Sequence, residues 1–479
     1  MRTGGGKGDA LSVDTRSLQP HPVEGERPAL WDPVNALPSA RKWIWALLAV
    51  YVLIAQGPTF LRNIPGRWDG GNDFFQDWTS ARNVLEGRPA YLPLSVAAAL
   101  HGPKMGGRPA VIPRLPWNAH PPTSVLATLP FALLDYLDAV TLWNVLGLIA
   151  ITASLALIFR ELRFPVAAWS ILPIVTLGLL CGPVRTQISQ GQWNAPLLLL
   201  LTLAWVAGRR GLDSWAGIWV GSALTLKLFP VFFFLYFVIQ RRWRALIAAC
   251  LWSVALSLVT IAALGLDAYR DYYNLVLPTL REFRSGWDNA SLQAFWIKNF
   301  AVGANHYGLY AEPMVRRPLL AQTGIVLSYA AVLVTTFSFV KWSKPICSSN
   351  SKYGDLSYSL TMVTMLLLAP VCWDHYLLLL ALPLALVWSG LGRSNLQRLA
   401  FLLLVAAVWV GPNELWRVGG VDLVGAWPDF QDVPPRTYLI HRPLFVLAFL
   451  SIHFYALLAL YLWLAFLLRR EIAWAESKA

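Results

Sequence analysis

The chain has 479 residues, of which 56% are hydrophobic and only 14% charged, against roughly 25% charged in an ordinary soluble domain. Its net charge is +13, and 24 tryptophans supply side chains that favour a water–lipid boundary. With apolar stretches recurring from Trp43 almost to the C-terminus, these values exclude a string of soluble domains, and the positive charge reads as basic membrane-protein loops and not as a nucleic-acid surface.

Residues 1–40 are rich in Gly, Pro and polar side chains and lack an apolar core, which predicts a disordered cytoplasmic tail and no cleaved signal peptide. A single membrane domain is expected over 41–470, with a short cytoplasmic tail at 471–479. About 20 residues are needed to cross the hydrocarbon core. Spans are predicted at Trp43–Phe60, Ala139–Phe159, Pro165–Cys181, Ala195–Ala207 and Ala245–Leu264, then at Thr323–Val340, Leu356–Pro370, Tyr376–Trp388, Leu399–Val410 and Leu444–Leu468. Pro122–Leu134 reads as a short helix dipping in from outside or as one more pair of crossings.

Basic residues orient this path. Arg41/Lys42, Arg160/Arg163, Arg209/Arg210, Arg241/Arg242/Arg244, Lys341/Lys344, Arg393/Arg398 and Arg469/Arg470 all fall on the cytoplasmic side when the spans alternate. One condition attaches: Trp215–Gln240, basic at both flanks, must enter and leave on the same side. Lys227 and Pro230 at its middle favour two half-helices meeting at a turn over one long tilted span. The count is therefore about 10–12 helices. Three long segments, Leu61–Pro121, Gly265–Gln322 and Gly411–Arg442, fall outside and are expected to be structured, with helix-like stretches at Phe74–Leu85 and Asp267–Phe283.

Polar clusters gather on that outer side. Asp73 and Asp77 are four apart and would share a helix face. A carboxylate near a low-dielectric boundary suits a general base, although Asp73 also stands where an N-cap belongs. His120 precedes a Pro-Pro turn, as an interfacial structural residue or a substrate contact. Arg185 to Asn194, with Gln190 and Gln192, is a dense hydrogen-bonding stretch between apolar helices. It suits sugar hydroxyls or, through Arg185, a phosphate, but a helix-capping loop is an equal reading. Asp374 and His375 lie between two short spans, as substrate contacts or as a structural ion pair. Asn289-Ala290-Ser291 matches a glycosylation sequon. The four cysteines are scattered without CxxC or histidine partners, so no metal site or disulfide framework is expected.

Taken in order, these features resemble glycosyltransferase family 87, the polyprenyl-phosphate-mannose-dependent transferases of the GT-C superfamily. The matching residues are Asp73 fourteen positions before Gly87 and followed by Tyr91, His120-Pro121-Pro122, Gly191-Gln192-Trp193-Asn194, Lys227 to Pro230, Asn289-Ala290-Ser291 and Trp373-Asp374-His375-Tyr376. Residues 390–479 match only as hydrophobic spans. The resemblance implies an all-α polytopic membrane protein, a GT-C-like bundle with structured outer loops in the plasma (inner) membrane. Both termini would be cytoplasmic and the active site would face outward. It implies a metal-independent, inverting transfer of a sugar, with mannose the family's best-known donor, from polyprenyl phosphate to a lipid-linked or surface glycan, and no cofactor. An aspartate of the first outer loop would be the base. Asp73 stands at its expected position, but Gln76-Asp77-Trp78 replaces more usual aromatic residues, so Asp77 competes. His375, Arg185 and Lys227 are the candidates for stabilising the departing phosphate. His120, Gln190, Gln192, Asn194, Asn289 and Asp374 complete the expected substrate-binding set.

A transporter or flippase of a lipid-linked glycan is the competing reading, since a lysine in a broken helix suits one. Against it, the polar residues gather at one surface beside long loops, with no visible repeat. A non-catalytic scaffold for glycan assembly is the third.

Overall fold

The computed structural model describes residues 39–65, 73–105, 108–109, 116–164, 176, 178–301, 310–311, 313–342, 352–391, 394–411, 439–440 and 443–477. Most of the span predicted at Pro165–Cys181 and most of the third outer segment, Gly411–Arg442, lie outside them.

Helix α1 (Ser39–Asn63) presents Leu47, Tyr51 and Ile54 outward, as a lipid-facing helix does. Within Leu61–Pro121 the described residues form α2 (Phe74–Leu85) and α3 (Leu94–His101), followed by the short α4 (Pro122–Thr128). At about 10 Å, α4 cannot cross a bilayer, which rules out a pair of crossings at Pro122–Leu134. Helix α5 (Tyr136–Glu161) has Asp138 in its first turn and Arg160 in its last, charges that complement the helix dipole. Next come α6 (Gly182–Gln190), α7 (Asn194–Arg209), α8 (Asp213–Leu226), α9 (Phe232–Ile239) and α10 (Trp243–Leu264). Residues Leu266 to Ser285 form short helical turns, including a π-helical turn at Tyr272–Val276. The chain continues through α11 (Leu292–Phe300), α12 (Pro318–Trp342), α13 (Lys352–Leu368), a 3-10 turn at Asp374–Leu380, α14 (Ala381–Ser389) and α15 (Asn395–Trp409). It ends in a short helix, Pro443–Ala448, and α16 (Ile452–Glu476).

Among the described residues the only strands are two ladders of two-residue segments, so the protein is all-α in character. Four described segments, Tyr136–Glu161, Trp243–Leu264, Pro318–Lys341 and Pro443–Glu476, are long and apolar enough to cross a membrane. Shorter apolar helices, α7 and α15 among them, pack beside these segments. Helix α13 is buried on every face from Leu356 to Leu368, the pattern of a helix at the centre of a bundle.

The segment with Lys227 at its middle is broken, as its sequence predicts. Lys227 closes α8 in an extended conformation (φ −147°, ψ 138°), and a 3-10 turn over Phe229–Val231 leads into α9. Contacts fix the directions. A Cβ on Gly217 would overlap the Ala245 carbonyl oxygen, and one on Gly221 would lie 2.8 Å from that of Ala249. The register advances together along α8 and α10, so these helices run parallel with their backbones in contact, and α9 must bring the chain back between them. The Arg242 guanidinium then pairs with Asp213, tying both ends of the hairpin together.

The bundle consequently has two chemically distinct ends. At one end Arg209 and Arg210 pair with Glu161, Arg209 with Asp355, Arg242 with Asp213 and Lys352 with Glu471. At the other lie the starts of α5 and α7, the ends of α8 and α10, and helices α2 and α4. Thr123 meets Thr260 there at 3.2 Å, and the Trp143 indole donates to the Gly191 carbonyl at 2.8 Å.

Candidate active site

Helix α2 is held at the second end by aromatic packing. Phe74 stacks on Trp143 (5.1 Å between centroids), and Phe75 and Trp78 both meet the edge or face of Tyr136. This fixes two carboxylates one turn apart in very different surroundings. Asp77 is fully buried and accepts from His120 Nδ1 (2.9 Å), Asn118 Nδ2 (3.1 Å) and Trp193 Nε1 (3.0 Å). Asp73, just before α2, is half-buried and makes no side-chain cap. Its Oδ2 instead accepts from the Gln192 amide. The N-cap alternative for Asp73 therefore fails, while Asp77 is walled in by three donors.

Gln192 reaches this position because α6 ends at Gly191 in the left-handed region (φ 62°), which reverses the chain before α7. The Gln187 side chain braces the reversal by donating to the Gln192 carbonyl. Gln192 then bridges two charges: its nitrogen donates to Asp73 and its Oε1 accepts from Lys227 Nζ at 3.0 Å. Lys227, buried at the hairpin tip, also donates to Asn194 Oδ1 (3.4 Å) and lies over the Tyr376 ring (4.1 Å to the centroid).

The Asp374–His375 segment closes another side. Thr186 Oγ1 donates to Asp374 Oδ2 at 2.7 Å, and His375 Nδ1 lies 3.3 Å from Asp374 Oδ1. Both ring nitrogens of His375, and Asn194 Nδ2, are buried without hydrogen-bond partners. Two unsatisfied buried groups at one site are costly unless a ligand completes them. Arg185 sits half-buried on α6 beside Thr186.

Two residues do not join this arrangement as ligand contacts. Gln190 lies half-buried at the last turn of α6, before the reversal that carries Gln192 inward. Asn289 is fully buried with its amide engaged on both sides: Oδ1 accepts from Ser291 N and Cys372 N, and Nδ2 donates to the carbonyls of Phe283, Arg284 and Pro370. It is neither available to a substrate nor exposed as a glycosylation site. Tyr376, Gln187, Thr186 and Asn118 are network members absent from the expected set, although each lies inside a polar stretch visible in the sequence. Tyr91 donates to the His120 carbonyl at 2.7 Å, and burial holds its phenol well above the usual range, so it stays a neutral donor.

The family model described as glycosyltransferase family 87 matches residues 118–370, more than half of the chain. The chain belongs to glycosyltransferase family 87. That match includes His120, Arg185, Gln192, Asn194, Lys227 and Asn289, and stops short of both Asp73/Asp77 and Asp374/His375. The outlying residues join the family 87 region through contacts: Asp77 through His120 and Trp193, Asp73 through Gln192, and Asp374 through Thr186. A curated relative from Mycobacterium tuberculosis, a polyprenol-phosphate-mannose-dependent α-(1-2)-phosphatidylinositol mannoside mannosyltransferase, is 28% identical over 226 residues. The aligned stretch spans 44% of this chain and 49% of that protein, about half its length. No solved structure matches the chain.

Proposed function

We infer that this family 87 protein transfers mannose from a polyprenyl-phosphate carrier to a hydroxyl of a lipid-linked or surface glycan. The observation that carries the reading is the Asp73–Gln192–Lys227 bridge, which sets an accessible carboxylate beside a buried ammonium. An acceptor hydroxyl gives its proton to Asp73 while its oxygen attacks the anomeric carbon. The sugar–phosphate C–O bond breaks on the opposite face, inverting the configuration, and its electron pair leaves with polyprenyl phosphate. Lys227, Arg185, His375 Nε2 and Asn194 Nδ2 receive that phosphate. The leaving group is a phosphate monoester, with less charge to neutralise than a pyrophosphate, so the step proceeds without a metal or cofactor. Asp374 orients His375, and Asp77 positions the His120 turn instead of acting as the base.

The outer-face assignment is supported by charge. Placing the arginine-rich end of the bundle in the cytoplasm, as basic loops prefer, puts Asp73 and Lys227 at the outer surface of the plasma membrane. A flippase would also use a buried lysine at a helix break, but Lys227 is bonded to a carboxylate-bearing site at one end of the bundle, and the family is one of transferases. Proteoliposomes holding the wild type or Asp73→Asn are given radiolabelled polyprenyl-phosphate mannose and a membrane glycolipid extract. Transfer by the wild type and its loss in Asp73→Asn are expected. Undiminished transfer by Asp73→Asn overturns Asp73 as the base, and movement of the lipid across the bilayer without transfer overturns the enzyme reading.

A further inference from the structure

Lys298 lies in the last turn of α11 and is only 2% exposed. Its Nζ donates to three backbone carbonyls, those of Trp287 (3.0 Å), Asn289 (3.0 Å) and Leu450 (3.3 Å). Three N–H bonds meet three acceptors converging from two separate parts of the chain. A buried ammonium is costly unless so satisfied, so this one holds the three carbonyls in a fixed relation.

The loop it holds grips the segment that leads to His375. Ala290 N donates to the Cys372 carbonyl (2.7 Å), Cys372 N donates to Asn289 Oδ1 (2.9 Å), and Asn289 Nδ2 donates to the Pro370 carbonyl (3.1 Å). The Asn289 amide thus behaves as one rung of a strand ladder against Pro370–Cys372. Trp373 packs onto the same loop: a Cβ on Gly286 would lie 2.7 Å from its ring, and Phe283 meets it edge to face at 6.4 Å. The next two residues are Asp374 and His375.

We propose that Lys298 and Asn289 form a clamp that sets the position of His375 toward the donor phosphate. Neither residue touches the substrate; both are positioning residues acting through the Pro370–Trp373 segment. This rests on the reading of His375 as a phosphate contact. A displacement of about 1 Å at a reacting centre costs up to 10²-fold in rate, so a loosened clamp lowers kcat more than it raises KM for the donor.

The test is a double-mutant cycle on the full-length protein in proteoliposomes, read by steady-state transfer from radiolabelled polyprenyl-phosphate mannose, with melting temperature as the check on folding. The proteins are wild type, Lys298→Met, His375→Ala and the double variant, with Lys298→Gln restoring two N–H donors. Lys298→Met is expected to lower kcat about tenfold with the donor KM within about twofold, and Lys298→Gln to recover most of the loss. In the His375→Ala background Lys298→Met is expected to cost less than about twofold, because the group it positions is gone. Equal losses in both backgrounds, or wild-type kcat in Lys298→Met, overturn the clamp while leaving the role of His375 standing. Wild-type transfer in His375→Ala removes the reading of His375 itself, and the clamp with it. If Lys298→Met does not fold, Asn289→Ser takes its place in the same cycle: a loss confined to the His375 background supports the clamp, and equal losses in both backgrounds overturn it.

Discussion

Lys227 Nζ lies 3.0 Å from Gln192 Oε1, while the nitrogen of the same amide is donated to Asp73. One neutral side chain therefore separates an ammonium from a carboxylate and orders both. A direct ion pair would bring the two charges together; the amide between them keeps them apart while holding both side chains in place.

Gln192→Leu should remove both contacts without adding charge. We expect a fall in kcat of about 10²-fold, comparable to losing one preorganised donor from an active site. Gln192→Glu should be worse still, because a second carboxylate would pair with Lys227 directly. Steady-state transfer rates at saturating donor measure both.

The two aspartates should separate by phenotype. Asp73→Asn is expected to abolish transfer with an unchanged melting temperature, since Asp73 is half-buried and holds one donor. Asp77→Ala leaves the donors of His120, Asn118 and Trp193 buried without an acceptor. That should destabilise the protein by about 3 kcal/mol. Thermal denaturation in detergent distinguishes the two, and equal melting temperatures would contradict it.

Gly217→Val tests the contact between α8 and α10. The added side chain meets the Ala245 carbonyl, which even a lone Cβ would overlap, so the helices must separate. Overpacking of this kind costs about 1–3 kcal/mol. A lower melting temperature and loss of transfer together are expected, because the hairpin that carries Lys227 would shift.

Orientation can be read by labelling. In a background with Cys250 and Cys347 replaced by serine, a cysteine at Arg88, just beyond the end of α2, should react with an impermeant maleimide on intact cells. One at Arg210 should react only after permeabilisation. The opposite pattern would invert the proposed orientation.

Much of this arrangement is legible in the amino-acid sequence, for identifiable reasons. Local signals mark helix α2 and the interruption at Lys227: an amphipathic stretch in one case, a charge followed by proline in the other. The distinction between Asp73 and Asp77 is not local. It depends on Trp193 and His120, which approach only after the bundle has formed. Gln190 and Gln192 look equivalent in sequence, yet the left-handed Gly191 between them sends only the second inward. Asn289 reads as a sequon because three residues carry no record of burial, and Lys298 gives no sign of the three carbonyls that surround it.

The hairpin of α8 and α9 also acts as a depth gauge. Its base is pinned where Arg242 meets Asp213, and its tip carries Lys227 about 21 Å away along the 14 residues of α8. The distance of the ammonium from the arginine-rich end of the bundle is thus set by a residue count in one short helix. Adding a single turn to α8 would lift Lys227 about 5 Å past Gln192, so insertions there should be far less tolerated than in the loops around it.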